Sequence, residues 1–482
     1  MTDTLSTVET RLGHGKKVIL LNAFDMGVVG HLAPGQWKNP GDQGALKHTL
    51  DYWVNLAKLL ERGGFNGLFL ADSYGGHDTY GGSLDECIRR ASQWPISDPI
   101  IPISAMAAAT KHLTFGVTSS TTFEPPFILA RRFSTLDHMT QGRIGWNIVT
   151  SWKKSAFKAI GLDDPIGHDE RYAQADEYLR LLYKLWEGSW ADDAVSPNPH
   201  DDTFINPEKV RHIKHNGKYF KLDSPHILEP SPQRTPFLFQ AGTSSAGIDF
   251  ASTHAEAIFV SGFSATLVGA NVAKVRAAAA AKGRDPRSIK VFGTICPIVA
   301  ATDEEAQAKY EALKKNASVV GALVVISSIS GIDLSKVPLD QDLATVGDVE
   351  ANSVVSLRSA LVNKGEDGTV WTPRRVAEER SIGGFGALAV GSPSTVADIF
   401  EEWVKVADLD GFNLSHATTP GTFEDVVDLL VPELRRRGIY PEQRAEDAPV
   451  LTARERALGE GQARVRDDHV GATYRFDVYK EE

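Results

Sequence analysis

Cysteine is scarce in this chain. Its 482 residues include two, Cys87 and Cys296, and neither falls in a CxxC or Cys/His ligand spacing. That argues against a disulfide framework and against a zinc site. Long apolar runs are missing as well. No window approaches the roughly 18 residues of a membrane span. The polar stretch from Met1 to Lys17 has no apolar segment of the kind a secretory leader needs. Basic residues are outnumbered: 51 Lys and Arg against 62 Asp and Glu give a formal charge of −11. That balance argues against nucleic acid and anionic membranes as partners. With 42% hydrophobic and 23% charged residues, the expectation is a globular, cytoplasmic chain.

What is present is alternation. Short apolar runs at 18–24, 65–71, 113–118, 143–149, 237–240, 257–260, 289–299 and 411–415 read as buried strands. Between most of them lie helical patterns, over 46–62, 98–110, 127–139, 169–187, 244–253, 265–281 and 423–437, with another opening at Thr302. Asp98 reads as the N-cap of the second, and Thr302 with Glu305 as a capping box. Eight strand–helix units in series predict an α/β fold, a (β/α)8 TIM-type barrel. Two stretches are too long for plain connectors: 190–234, with a hairpin signal at Asn216-Gly217, and 318–393. They predict insertions before strand 5 and between strands 7 and 8. One domain is expected over 1–440, with a charged tail, 441–482, on its surface.

In a parallel barrel, ligands sit at the carboxyl ends of the strands. Polar residues gather there: Asn22, Asp72, Thr118, Asn147, Gln240 and Ser415 end six strand patterns. One acid among them is too few for a glycosidase pair, and no cluster of His and Asp suggests a metal hydrolase. Amides and hydroxyls suit a large neutral heteroaromatic ligand. After the fifth strand, Gly242, Thr243, Ser244 and Ser245 open a helix, which makes an anion pocket without the lysine of a P-loop. His168 and Tyr172, four apart, share a helix face, and His168 or Asp169 can cap that helix. His31 and His77, on the first two loops, are candidates for acid–base chemistry or substrate contact. Arg131 and Arg132 read as a solvated or salt-bridged face.

The stretch from Arg131 to Ser151, with 21–24, 70–73, 116–120, 168–172 and 241–245 in order and spacing, resembles the bacterial-luciferase-like flavin-dependent monooxygenases. It is most similar to the branch containing nitrilotriacetate, EDTA and dibenzothiophene-sulfone monooxygenases. The resemblance implies a barrel binding FMN, with Asp72, Thr118, Asn147, His168, Tyr172, Thr243, Ser244 and Ser245 as flavin contacts. It also implies a two-component monooxygenase, using O2 and reduced FMN (FMNH2) from a separate NAD(P)H-dependent flavin reductase. The substrate would be a small molecule oxidised at or beside a C–N, C–S or C–H centre, and relatives suggest a homodimer or homotetramer. The alternatives are a deazaflavin-dependent oxidoreductase of the same superfamily and a non-catalytic flavin-binding paralogue. The first loop, 25–30, departs from the branch pattern.

Overall fold

The computed structural model describes residues 17–242, 244–346 and 370–480. Four strands come first: β1 (Leu20–Met26), β2 (Gly67–Ala71), β3 (Thr114–Ser120) and β4 (Ile144–Val149). Two hairpins follow, β5 (Val195–Asn198) with β6 (Thr203–Ile205), then β7 (Ile213–Asn216) with β8 (Lys221–Ser224). The chain continues with β9 (Phe237–Ala241), β10 (Ala257–Val260), β11 (Lys290–Val299), β12 (Ala387–Gly391) and β13 (Gly411–Leu414). Parallel pairings run β13-β1-β2-β3-β4-β9-β10-β11, and β11 closes the ring onto β13. These eight strands are the expected barrel. β12 is a ninth, inside the second stretch read as an insertion. The ten-residue β11 pairs β13 up to Ile295, then pairs β12 from Ile295 to Val299.

Strand alternation sorts side chains to two sides. Leu20, Phe69, Phe237, Phe239, Phe259 and Phe292 fill the barrel interior. Phe239 stacks on Phe259 at 5.3 Å between ring centroids. Glycine makes room for this layer: a Cβ on Gly145 would lie 2.6 Å from the Phe239 ring. Leu21, Leu68, Val117 and Ile144 face outward and pack with Trp53, Leu60, Phe133, Leu179 and Phe400 of the surrounding helices. The amino end of the barrel is closed by the tail. Ala453, Ala457 and Leu458, on the helix Ala453–Leu458, join the phenylalanine cluster. A tail expected on the surface thus contributes a plug, because the aromatic layer would otherwise face water.

Two helix readings need correction, and a further helix was missed. The helix expected from Asp98 begins only at Ile103 (Ile103–Ala108), since Pro102 has no N–H and restrains its predecessor. Asp98 accepts the Ile100 amide at 2.8 Å in a local turn instead. The 169–187 pattern is an α-helix, His168–Tyr183, that loosens into a π turn at Lys184–Gly188. Its N-cap is Gly167, and no side chain caps it. The helix Pro393–Ala407, capped by Ser392, was not read from the sequence and packs between β12 and the helix Ala265–Ala281. Among the described residues, no single helix is long and apolar enough to cross a membrane.

Candidate active site

The interior turns polar toward the carboxyl ends. Thr118 and Asn147 are register partners on β3 and β4. Asn147 Nδ2 donates to Thr118 Oγ1 at 2.9 Å, and Asn147 Oδ1 is buried without a partner. Asn413 on β13 likewise has an unpartnered Oδ1, and Ser261 donates to Thr294 at 3.0 Å. Buried acceptors left open cost free energy unless a ligand satisfies them. Asp72 follows β2, half-buried, its Oδ1 accepting the Ser73 amide at 2.7 Å. Burial pushes its carboxyl up to about 7, against that amide bond, with Asp98 and Glu124 adding to the rise. Asn22 is not a strand end: β1 runs on to Met26, and Asn22 accepts from Asn66 Nδ2 lower in the barrel.

On the β9 side a second group converges. Ser244 caps the helix Ser245–His254, its Oγ accepting the Gly247 amide at 3.1 Å. His168 Nε2 lies 3.3 Å from that Oγ, and burial pushes the Tyr172 hydroxyl up, a rise that Ser244 and Gln240 offset in part. His168 and Tyr172 share a helix face as their spacing suggested, their rings 5.1 Å apart, and His168 Nδ1 rests 2.7 Å from Asp169. A Cβ on Gly242 would lie 2.8 Å from Gln240 Nε2 and 2.9 Å from Tyr172 Oη, so only glycine keeps the cradle open. Ser245 is exposed in the first turn, and Thr243 lies outside the described residues. Free amides at a helix N-terminus, with hydroxyls and an imidazole around them, form an anion pocket.

His31 and His77 are both buried rather than presented on open loops. Gln93 ties them together: its Oε1 is 2.9 Å from His77 Nε2, and its Nε2 donates to the His31 carbonyl at 2.9 Å. Burial holds both imidazoles well below their ordinary value, His416 adding at His31 and Lys153 at His77. The His31 ring stands edge-on to Phe24 at 4.6 Å, and Phe24 packs on the aromatic interior. Arg132 pairs with Glu124 at 2.8 Å, in keeping with a structural role. Over the mouth, Trp371, Leu334 and Ile326 of the second long stretch pack with Tyr80 and Phe263 from the loops after β2 and β10.

Sequence reasoning missed one group altogether. Asp25, on the outward face of β1, accepts from Lys47 Nζ at 2.5 Å, Tyr52 Oη at 3.0 Å and the Met26 amide at 2.8 Å. His416 Nε2, just past β13, lies 2.9 Å from the same carboxylate. Burial pushes the Asp25 carboxyl up, but Lys47 and His416 outweigh it and hold the group well below the usual carboxylate range. The available signal was an acid in phase with Leu21 and Ala23, where alternation predicts an apolar side chain.

A family model described as luciferase-like monooxygenase matches residues 29–409. A dimethyl-sulfide monooxygenase from Hyphomicrobium sulfonivorans is 45% identical over 467 residues, 96% of this chain and 95% of the relative. A long-chain alkane monooxygenase from Geobacillus thermodenitrificans is 44% identical, covering 95% of this chain and 98% of its own. Among solved structures, a riboflavin lyase with modified FMN and riboflavin superposes with a TM-score of 0.86 at 34% identity. That likeness covers 95% of this chain and all of the other.

Proposed function

Because this chain belongs to the luciferase-like monooxygenase family, we propose that its barrel mouth binds reduced FMN supplied by a separate NAD(P)H-dependent flavin reductase. With dioxygen, the enzyme oxidises a small organic substrate at or beside a C–S, C–N or C–H centre. One relative is named for dimethyl sulfide and another for long-chain alkanes, which supports the C–S and C–H classes.

The observation that carries this reading is a divided mouth. On the β9 side, Ser244, His168, Tyr172 and the Gly242 cradle suit a phosphate. Along β2 to β4, Asp72, Thr118 and the open Asn147 Oδ1 suit the donors and acceptors of a flavin ring edge. The donor set thus fits FMN at both ends. When bound, reduced FMN supplies the two electrons that activate dioxygen, one oxygen atom going to substrate and the other to water. The protein's part is orientation and exclusion of solvent. Ser244 and the helix amides hold the phosphate. Asn147 and Asp72 fix the ring edge, and the packed segment around Trp371 keeps water from the mouth. His31 and His77, both held neutral by burial, exchange protons there.

Oxygen consumption with a generic flavin reductase, screened over sulfides, alkanes and aminopolycarboxylates, tests the proposal. Consumption above the background that free reduced FMN sustains with oxygen, and an oxidised product, should require FMN, NAD(P)H and one of these substrate classes together. A protein that binds FMN but consumes no extra oxygen with any of them would be a flavin carrier instead.

A further inference from the structure

Asp25 is saturated with donors, while the two histidines beside it are not. Lys47, Tyr52, His416 and the Met26 amide all point at its carboxylate. His416 spends Nε2 on Asp25, so its Nδ1 is left buried and unpartnered, and His31 Nδ1 is buried and unpartnered too. The two rings are 5.7 Å apart. Both line a cavity with Gly30, Asp42, Lys47 and Thr419, of about 10 Å3, room for a single water-sized molecule. Nitrogens of His31 and His416 and an oxygen of Asp25 lie within 4.8 Å of one another. That is a metal-ligand grouping, but Lys47 Nζ and His416 Nε2 both already sit on Asp25 Oδ1, which leaves neither that oxygen nor His416 Nε2 open to a metal.

We propose that Asp25 and His416 belong to a proton relay that serves His31, His416 as the proton acceptor and Asp25 as the residue that positions it. Asp25 fixes His416 as the Nε2–H tautomer, so its Nδ1 lone pair faces the cavity. When His31 takes a proton at Nε2, it releases one from Nδ1 to a water in the cavity, and that water passes one to His416 Nδ1. Each transfer breaks one N–H or O–H bond and forms another, and no electrons change hands. The reverse sequence returns a proton to the mouth. Asp25 compensates the charge that arrives on His416. Lys47 and Tyr52 hold Asp25 in place, and Asp42 faces the same cavity and anchors the Thr419 amide at 3.1 Å. Burial supplies the need for such a path: a charged His31 is disfavoured, so a proton accepted at one nitrogen has to leave from the other.

The relay rests on the oxygenase reading for what it serves, but its geometry is testable without turnover. Long-range 1H–15N spectra of the histidine-labelled protein without flavin should show His416 as the Nε2–H tautomer, and Asp25→Asn should abolish that preference. Finding the Nδ1–H tautomer in the wild type overturns the proposal. In turnover, His416→Ala, or His416→Gln should the first not fold, should slow the reaction about a hundredfold, the lower end of what proton transfer contributes. Reduced-FMN affinity should stay within twofold, and added imidazole should restore part of the rate to His416→Ala. Turnover within twofold of wild type, or tight Zn2+ binding that Asp25→Asn removes, overturns the relay. A wild type without oxygenase activity counts against the proposed function, and the tautomer spectra then still decide the geometry.

Discussion

Replacing Ser244 by alanine tests the proposed phosphate pocket separately from the rest of the mouth. Ser244 Oγ accepts the Gly247 amide at 3.1 Å and touches both His168 and Tyr172. A hydrogen bond to a charged group contributes about 1.5–3 kcal/mol, and each 1.4 kcal/mol is about tenfold in affinity. Ser244→Ala should therefore raise the FMN dissociation constant by about tenfold to a hundredfold. Riboflavin has the same ring and no phosphate, so its affinity should hardly change. Losing the cap costs about 1 kcal/mol of stability, which in a chain this long lowers the melting temperature by about 1 °C. Anaerobic fluorescence titrations with both reduced flavins, beside a calorimetric scan, measure all three quantities. Equal weakening of FMN and riboflavin, or of neither, would refute the placement of the phosphate.

Asp72 predicts a pH dependence. Its carboxyl is raised to about 7, so it is protonated below that pH. If the carboxylate accepts a ring N–H, reduced-FMN affinity should fall as pH drops from 8 to 6, and Asp72→Asn should flatten the profile; a flat wild-type profile contradicts this role. Arg454 is fully buried and donates to both Glu256 oxygens and to the carbonyls of Thr235, Pro236 and Ala463. Arg454→Ala leaves Glu256 buried without its cation and should cost about 3–5 kcal/mol in urea unfolding, Arg454→Met distinctly less; a loss below 1 kcal/mol for alanine would show that the tail plug is not needed. Asp25 is held below its unfolded value near 3.9, so its stabilisation is full above about pH 4 and fades as pH falls further. The stability gap between wild type and Asp25→Asn should be constant from pH 6 to 8 and narrow below pH 4, as read from urea midpoints. A gap that widens on acidification contradicts the ion pair.

The barrel was readable because each strand has a local signature. Ala257–Val260 and Ala265–Ala281 match their expected bounds end to end, an apolar run and an alanine-rich helix set by nearby residues. β12 is five residues of mostly small side chains, ALAVG, which adds to an edge of β11 and carries too weak a pattern to stand alone. The helix Pro393–Ala407 did carry a signal, serine at the N-cap and proline just inside, obscured by the long stretch before it. Candidate site residues divide the same way. Ser244 was visible because a strand, a glycine and hydroxyl residues before a helix form one short motif. Asp25 was hidden because its partners lie far along the chain, Lys47 at a separation of 22 residues and His416 at 391. Spacing in one strand cannot report a contact that only barrel closure creates, and Ser415 drew the strand-end reading one residue short of His416.

The central claim is that one oxygen atom from O2 enters a substrate in a reaction that needs reduced FMN. Incubation under 18O2 with NADH, FMN, a generic flavin reductase and dimethyl sulfide or an alkane, read by mass spectrometry, tests it directly. The account predicts a product carrying one 18O, or carbonyl fragments derived from it, formed only when FMN is present. A product whose new oxygen is unlabelled, and so comes from water, or product formed with a deazaflavin but not with reduced FMN, would contradict it.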